Sequence, residues 1–226
     1  MTDHVPVIAV DGPSGTGKGT ICRYLANTLK WHLLDSGALY RLLALAARQQ
    51  GVELDDAAAL AELAANLEIS FDYSGDVDRV LLAGRDVSDE IRTESCGNAA
   101  SCLAALPEVR RALLSFQQRF RQAPGLVADG RDMGTVVFPD ADLKIFLTAD
   151  AAERARRRHK QLKGKGFDVN LADLSVEITE RDARDSQRAV SPLIPANDAR
   201  VIDTTDLSIQ DVVELVSGLV RDQFPV

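Results

Sequence analysis

Gly12, Gly17 and Lys18, in the string "DGPSGTGKGT" at residues 11–20, stand at the G-x-x-x-x-G-K spacing of a phosphate-binding loop. Its glycines let the backbone of Gly12, Pro13, Ser14, Gly15, Thr16 and Gly17 wrap an anion with N–H groups turned inward. Lys18 adds a mobile point charge for the β- and γ-phosphates of a nucleoside triphosphate. The residue after it is Gly19, and the hydroxyl of the strict pattern comes one place later, at Thr20. An apolar run, "VPVIAV", precedes the loop and a helical pattern follows it, which is the setting the motif requires. The chemistry indicated is ATP binding.

Other segments set arginines beside short polar residues. "DSGALYR" puts Ser36, Tyr40 and Arg41 at a helix start, where an anion is welcome. "ADGRDMG" puts Asp129, Arg131 and Asp132 on the turn after a strand, where open α/β sheets gather ligands. "ERDARDSQR" spaces Arg181, Asp185 and Arg188 four and three residues apart, on one helix face. Taken alone, that segment suits a solvated ion-pair face equally well. The basic run "ERARRRHKQLKGKG", 153–166, places Arg154 and Arg158 one turn apart, with Gly164 and Gly166 free to hinge. It reads as a mobile lid in preference to a plain surface helix or an RNA contact. The three histidines stand singly and suggest neither metal binding nor acid–base work. No Asn-Lys-x-Asp string reads guanine, which argues against a GTPase switch. A nucleotide phosphotransferase, a kinase of the same fold with another acceptor (UMP, AMP or a small metabolite) and a non-enzymatic nucleotide-dependent module remain open.

The elements that must position these residues alternate in type. Strands are expected at 5–10, "HLLD", "LVAD", "LKIFLT" and "ARVID", with helices at 17–29, 38–50, 151 onward, 173–187 and from 208. A helix capped by Asp55 or Asp56 runs to about 67. "EISFDY" and "RVLLAG", separated by "SGDVD", read as a β-hairpin, and helices span 94–121 with a restart at Pro107. Trp31 and Phe116 fall at core spacing. The alternation implies a parallel sheet covered on both faces, with a small antiparallel insert.

A chain of 226 residues suits one sizeable α/β domain with an insert. Its net charge of −8 argues against general nucleic-acid binding. No apolar run is long enough for a membrane span, and "MTDHVPVIAV" lacks a basic leader region. Cys22, Cys96 and Cys102 read as reduced thiols of a cytoplasmic protein.

"DGPSGTGKGT", "LLDSGALYR", "ADGRDMGTVVFPDADLKIFL" and "ERDARDSQRAVSPL" together resemble the bacterial cytidylate kinases, almost end to end. The resemblance implies an α/β P-loop NTPase fold: a central parallel sheet of about five strands flanked by helices. A single kinase core over 1–226 would carry a small antiparallel NMP-binding insert at 52–93 and a short lid at 154–170. It implies a cytoplasmic, monomeric phosphotransferase of pyrimidine metabolism, with ATP, CMP and dCMP as small-molecule partners and Mg²⁺ as cofactor, and with neither nucleic acid nor membrane. Lys18, Arg131, Arg181 and Arg188 would be catalytic; residues 12–20, Arg154 and Arg158 would hold ATP. Ser36, Tyr40, Arg41, Ser101, Arg110, Arg131, Asp132, Arg181, Asp185 and Arg188 would hold CMP. Thr20 and Asp129 would serve Mg²⁺, the latter through water.

Overall fold

Strand β1 (Val7–Asp11) is buried along its whole length. That is why its residues need no polar alternation. The computed structural model describes residues 4–72, 79–164, 166 and 168–224, in two compact units: Met1–Asp35 with Gln118–Val226, and Ser36–Gln117.

The first unit holds β1, β2 (His32–Asp35) and three strands past the second unit, whose labels follow below in chain order. Helix α1 (Lys18–Leu29) leaves the glycine loop with Gly17 as N-cap, and Ile21, Cys22, Leu25 and Ala26 face the core. In the second unit, α2 (Ser36–Gln50) starts directly after β2, two residues before the expected Ala38. Asp56 caps α3 (Ala57–Ala65), its carboxylate accepting from the Ala59 N–H. Strands β3 (Ile69–Asp72) and β4 (Arg79–Leu82) pair antiparallel as expected, while the "SGDVD" connection lies outside the described residues. "RVLLAG" does not continue as strand to its end. Ala83 and Gly84 both take positive φ and turn the chain into a third, two-residue strand, β5 (Arg85–Asp86). Helices α4 (Glu94–Leu103), capped by Thr93, and α5 (Pro107–Gln118) follow. Leu42, Leu43, Leu45, Leu60, Leu103 and Leu113 fill this unit's core.

Back in the first unit come β6 (Leu126–Asp129), β7 (Leu143–Thr148), α6 (Ala151–Gly164), α7 (Leu171–Gln187), β8 (Arg200–Asp203) and α8 (Ile209–Gln223). The sheet order is β2-β6-β1-β7-β8, all five strands parallel. An α/β fold with about five parallel strands is therefore borne out. Helix α7 begins before the expected Asp173 because the Asn170 side chain caps it. A reciprocal Ser208–Asp211 capping box opens α8. Between β6 and β7, residues Met133–Val137 form one π-helical turn that no sequence pattern announced. Ile8, Val10, Ile21, Val127, Ile145, Leu147, Val212 and Val216 pack one face of the sheet.

Candidate active site

The loop after β1 can exist only with glycine at its first position. Gly12 has φ +142°, and a Cβ there would stand 2.0 Å from the Leu147 carbonyl oxygen of β7. Inside the loop, Lys18 is 6% exposed and its Nζ donates to the Pro13 carbonyl at 2.8 Å, as does Thr16 Oγ1 at 3.1 Å. Thr20 is exposed in the first turn of α1, and the Asp129 carboxylate lies 3.6 Å from where a Cβ on Gly19 would sit. A hydroxyl and a carboxylate at the loop's open end are hard oxygen donors. They suit Mg²⁺, which retains waters and shares phosphate oxygens rather than needing a full protein cage.

Burial loads this region electrostatically. It lowers the Lys18 pKa to about 7, with the nearby Arg131 cation adding to the effect. It raises Asp129 to about 7, against the attraction of Lys18. Asp11 is raised to about 6 by burial, although it accepts backbone hydrogen bonds from Gly134 and Met133, both at 2.8 Å. A polyphosphate entering the loop would restore the lysine's charge.

A second cluster forms around Asp185 of α7, which is 3% exposed. Arg131 donates from Nε to Asp185 Oδ2 at 3.2 Å, and Arg181 Nε stands 4.0 Å from the same oxygen. Arg188 donates to the Asp185 main-chain carbonyl at 3.2 Å. A solvated ion-pair face is thereby excluded for 181–188, because the acid is buried among three arginines. Guanidinium groups gathered in this way suit bidentate recognition of phosphate.

Of the two arginines assigned to ATP, Arg154 is 3% exposed and held. It donates to the carbonyls of Ser14 (3.0 Å) and Ala149 (2.9 Å) and forms a forked pair with Asp182. Arg158 donates instead to Gln161 Oε1 at 2.7 Å, so the two arginines part company. The expected lid, 154–170, includes Lys165 and Phe167, which lie outside the described residues.

In the Ser36–Gln117 unit, Ser36 Oγ donates to Gln117 Oε1 at 2.7 Å, with both groups buried. Arg41 donates from Nη1 to the carbonyls of Ile91 (2.7 Å) and Thr93 (3.2 Å). Gly97 admits that guanidinium, since a Cβ would come within 2.8 Å of Nη2. Tyr40, Ser101 and Arg110 are buried, and Arg110 donates to the Ala104 carbonyl at 3.2 Å. Neighbouring Arg111 points to solvent with Glu108. A cavity of about 340 Å³ in this unit is lined by Ala44, Leu45, Val52, Cys96 and Ala99 among others, and by none of the nominated residues.

Sequence reasoning passed over Asp11, Asp182, Arg157 and Thr204. Arg157 donates to Thr204 Oγ1 at 3.1 Å, and fully buried Thr204 donates to the Thr148 carbonyl at 3.0 Å, tying the end of β8 to β7. Asp11 and Asp182 lay inside the motif strings; position alone could have flagged them.

A parallel sheet in this strand order, with a glycine loop leading from β1 into α1 and a buried lysine in that loop, defines a P-loop kinase, a phosphoryl-transferring enzyme. The cytidylate kinase family model matches residues 8–222. The chain belongs to the cytidylate kinase family. It is 60% identical over 223 residues to a cytidylate kinase of Aeromonas hydrophila, covering 99% of this chain and 97% of the relative. It is 62% identical over 213 residues to one of Edwardsiella ictaluri (94% and 95% covered) and 61% over 218 to one of Pseudomonas paraeruginosa (96% and 95%). Among solved structures it aligns with a gluconokinase from Sinorhizobium meliloti at 15% identity and TM-score 0.48, over 96% of this chain and 93% of that one. A shikimate kinase from Acinetobacter baumannii aligns at 14% identity and TM-score 0.43, over 99% and 97%.

Proposed function

We propose that the chain transfers the γ-phosphoryl group of ATP to CMP and dCMP, giving ADP with CDP or dCDP. The observation that carries this is the pairing, within the first unit, of a phosphate loop holding buried Lys18 with three arginines gathered on Asp185. An acceptor phosphate oxygen is already anionic near neutral pH, so no general base is assigned. What the reaction needs is alignment of two mutually repelling anions and cancellation of charge on the group in transit.

Lys18 and the backbone N–H groups of residues 12 and 14–20 hold the donor phosphates, and Arg154 acts by fixing the loop through the Ser14 carbonyl. Arg41 and Arg131 take the acceptor phosphate; Arg181 and Arg188 screen charge, and Asp185 reads sugar hydroxyls. Ser36 and Tyr40 complete the acceptor wall. Mg²⁺, held by Thr20 and through water by Asp129, would neutralise the β- and γ-phosphate oxygens. The insert at 52–93 and a lid at 154–170, closing with Arg158, exclude water. No helix among the described residues is long and apolar enough to cross a membrane; a cytoplasmic monomer acting on free nucleotides is the form proposed.

Cytosine offers an N4 donor beside N3 and O2 acceptors, so Asp132 faces N4, with Arg110 and Ser101 donating to the acceptors. Uracil would leave those groups mispaired, which can cost several powers of ten. Incubation with ATP, Mg²⁺ and a panel of monophosphates should convert CMP and dCMP far faster than UMP or AMP. Asp132→Ala should depress kcat/KM for CMP much more than for UMP. Equal use of UMP by the parent, or an unchanged ratio in the variant, overturns the base assignment.

A further inference from the structure

Asp11 is the last residue of β1, and Gly12 of the phosphate loop follows it directly. Its buried carboxylate touches no other loop residue by hydrogen bond; it is aimed across the sheet. Oδ1 accepts from the Met133 N–H and Oδ2 from the Gly134 N–H, each at 2.8 Å, so both oxygens serve one dipeptide. That dipeptide immediately follows Arg131 and Asp132, and a Cβ on Gly134 would press within 3.1 Å of Lys144 and 3.4 Å of Asp11 Oδ2. Two charge-assisted hydrogen bonds to backbone donors hold that stretch of main chain in place.

We propose that Asp11 is a positioning residue, bracing the segment that carries Arg131 and Asp132 against the strand that launches the phosphate loop, and so setting the acceptor-base preference. The inference rests on the assignment of Asp132 to the cytosine. Asp11 itself touches no substrate. Its route to the base preference is through the placement of the two residues upstream of the amides it holds, and a loss of placement near 1 Å is enough to be costly.

Asp11→Asn keeps the size but offers one acceptor oxygen, and its amide group opposes the second N–H. The variant should raise KM for CMP about 10-fold and narrow the CMP-to-UMP ratio of kcat/KM by a similar factor. KM for ATP should stay within about threefold, because the backbone of the phosphate loop is left in place. Gly134→Ala crowds the same brace from its other end while leaving the Asp11 carboxylate in the chain, and it should narrow the ratio in the same sense. It decides the matter if Asp11→Asn does not fold. Asp132→Ala and the double variant Asp11→Asn/Asp132→Ala run in parallel. If Asp132→Ala narrows the ratio and the double variant narrows it no further, the brace acts through Asp132. If Asp132→Ala narrows the ratio while folded Asp11→Asn and Gly134→Ala keep it, the brace is overturned and the base assignment stands. If Asp132→Ala leaves the ratio unchanged, the base assignment fails, and with it the proposal.

Discussion

Around the phosphate loop, Lys18 and Asp11 are buried and Asp129 half-buried, with their pKa values pushed toward neutrality, whereas in the Ser36–Gln117 unit the nominated cations are arginines whose donors go to main-chain carbonyls. The first arrangement is loaded: burying an ammonium and two carboxylates costs free energy that an incoming polyphosphate with its cation relieves. The second is built: a guanidinium stays charged, and its bonds to Ile91 and Thr93 shape the start of α4. Charge near the donor thus opposes the fold, and charge in the second unit supports it. That contrast predicts unequal stability losses when a cation is removed from either region.

The largest effect is expected at Lys18. Lys18→Ala should reduce kcat about 100-fold or more, since a preorganised charge at the reacting phosphates is lost. The folded protein should lose less stability than Arg41→Met does, because relief of the ammonium's burial offsets its lost bond to the Pro13 carbonyl. Turnover within about threefold of the parent would remove Lys18 from the donor site. Thermal unfolding without nucleotide checks the second half; a loss of Tm as large as that of Arg41→Met would break the contrast.

Arg41→Met tests the other side. The substitution strands two carbonyls that now accept from a charged donor, which places the loss at about 2 kcal/mol. KM for CMP should rise while KM for ATP holds. A variant as stable as the parent would mean that Arg41 is loaded like Lys18 rather than built in.

How much of this was legible in the sequence follows the same division. The phosphate loop is a local pattern: glycines, lysine, strand and helix within twenty-five residues, and the fold supplies little that spacing did not. The cluster on Asp185 was half legible. Its arginines showed their helical spacing, but only burial separates a binding cluster from a solvated face, and burial depends on what packs above. The brace at Asp11 was not legible, because its partners are backbone N–H groups about 120 positions away, and a main-chain donor leaves no mark in residue type. The same holds for Arg41 and the carbonyls it holds. Strand β5 escaped for another reason: two residues are too few to show alternation, and Ala83 takes a φ that alanine seldom adopts.

The last prediction is the most direct reading of the loaded loop, and it concerns pH. Asp129 and Asp11 have folded pKa values raised from 3.8 to about 7 and about 6, by burial above all. Between the unfolded and folded values the native state holds more protons than the unfolded chain. Their contribution is therefore full at low pH and is lost as pH rises toward 7. Lys18 is lowered from 10.5 to about 7, again first by burial. Between about 7 and 10.5 the unfolded chain holds the extra proton, so stability returns as pH climbs through that window. The two slopes meet near pH 7, where the unliganded protein, free of nucleotide and divalent cation, should pass through a minimum in Tm. Other titrating groups superimpose their own slopes, so the comparison is made by difference. Asp129→Asn should flatten the limb below 7 and Lys18→Met the limb above it, while Arg41→Met shifts the whole curve without changing its shape. If the Tm curves of Asp129→Asn and the parent run parallel from pH 4.5 to 7, the carboxylate beside Gly19 is not carrying the burial cost assigned to it, and the loop is built rather than loaded.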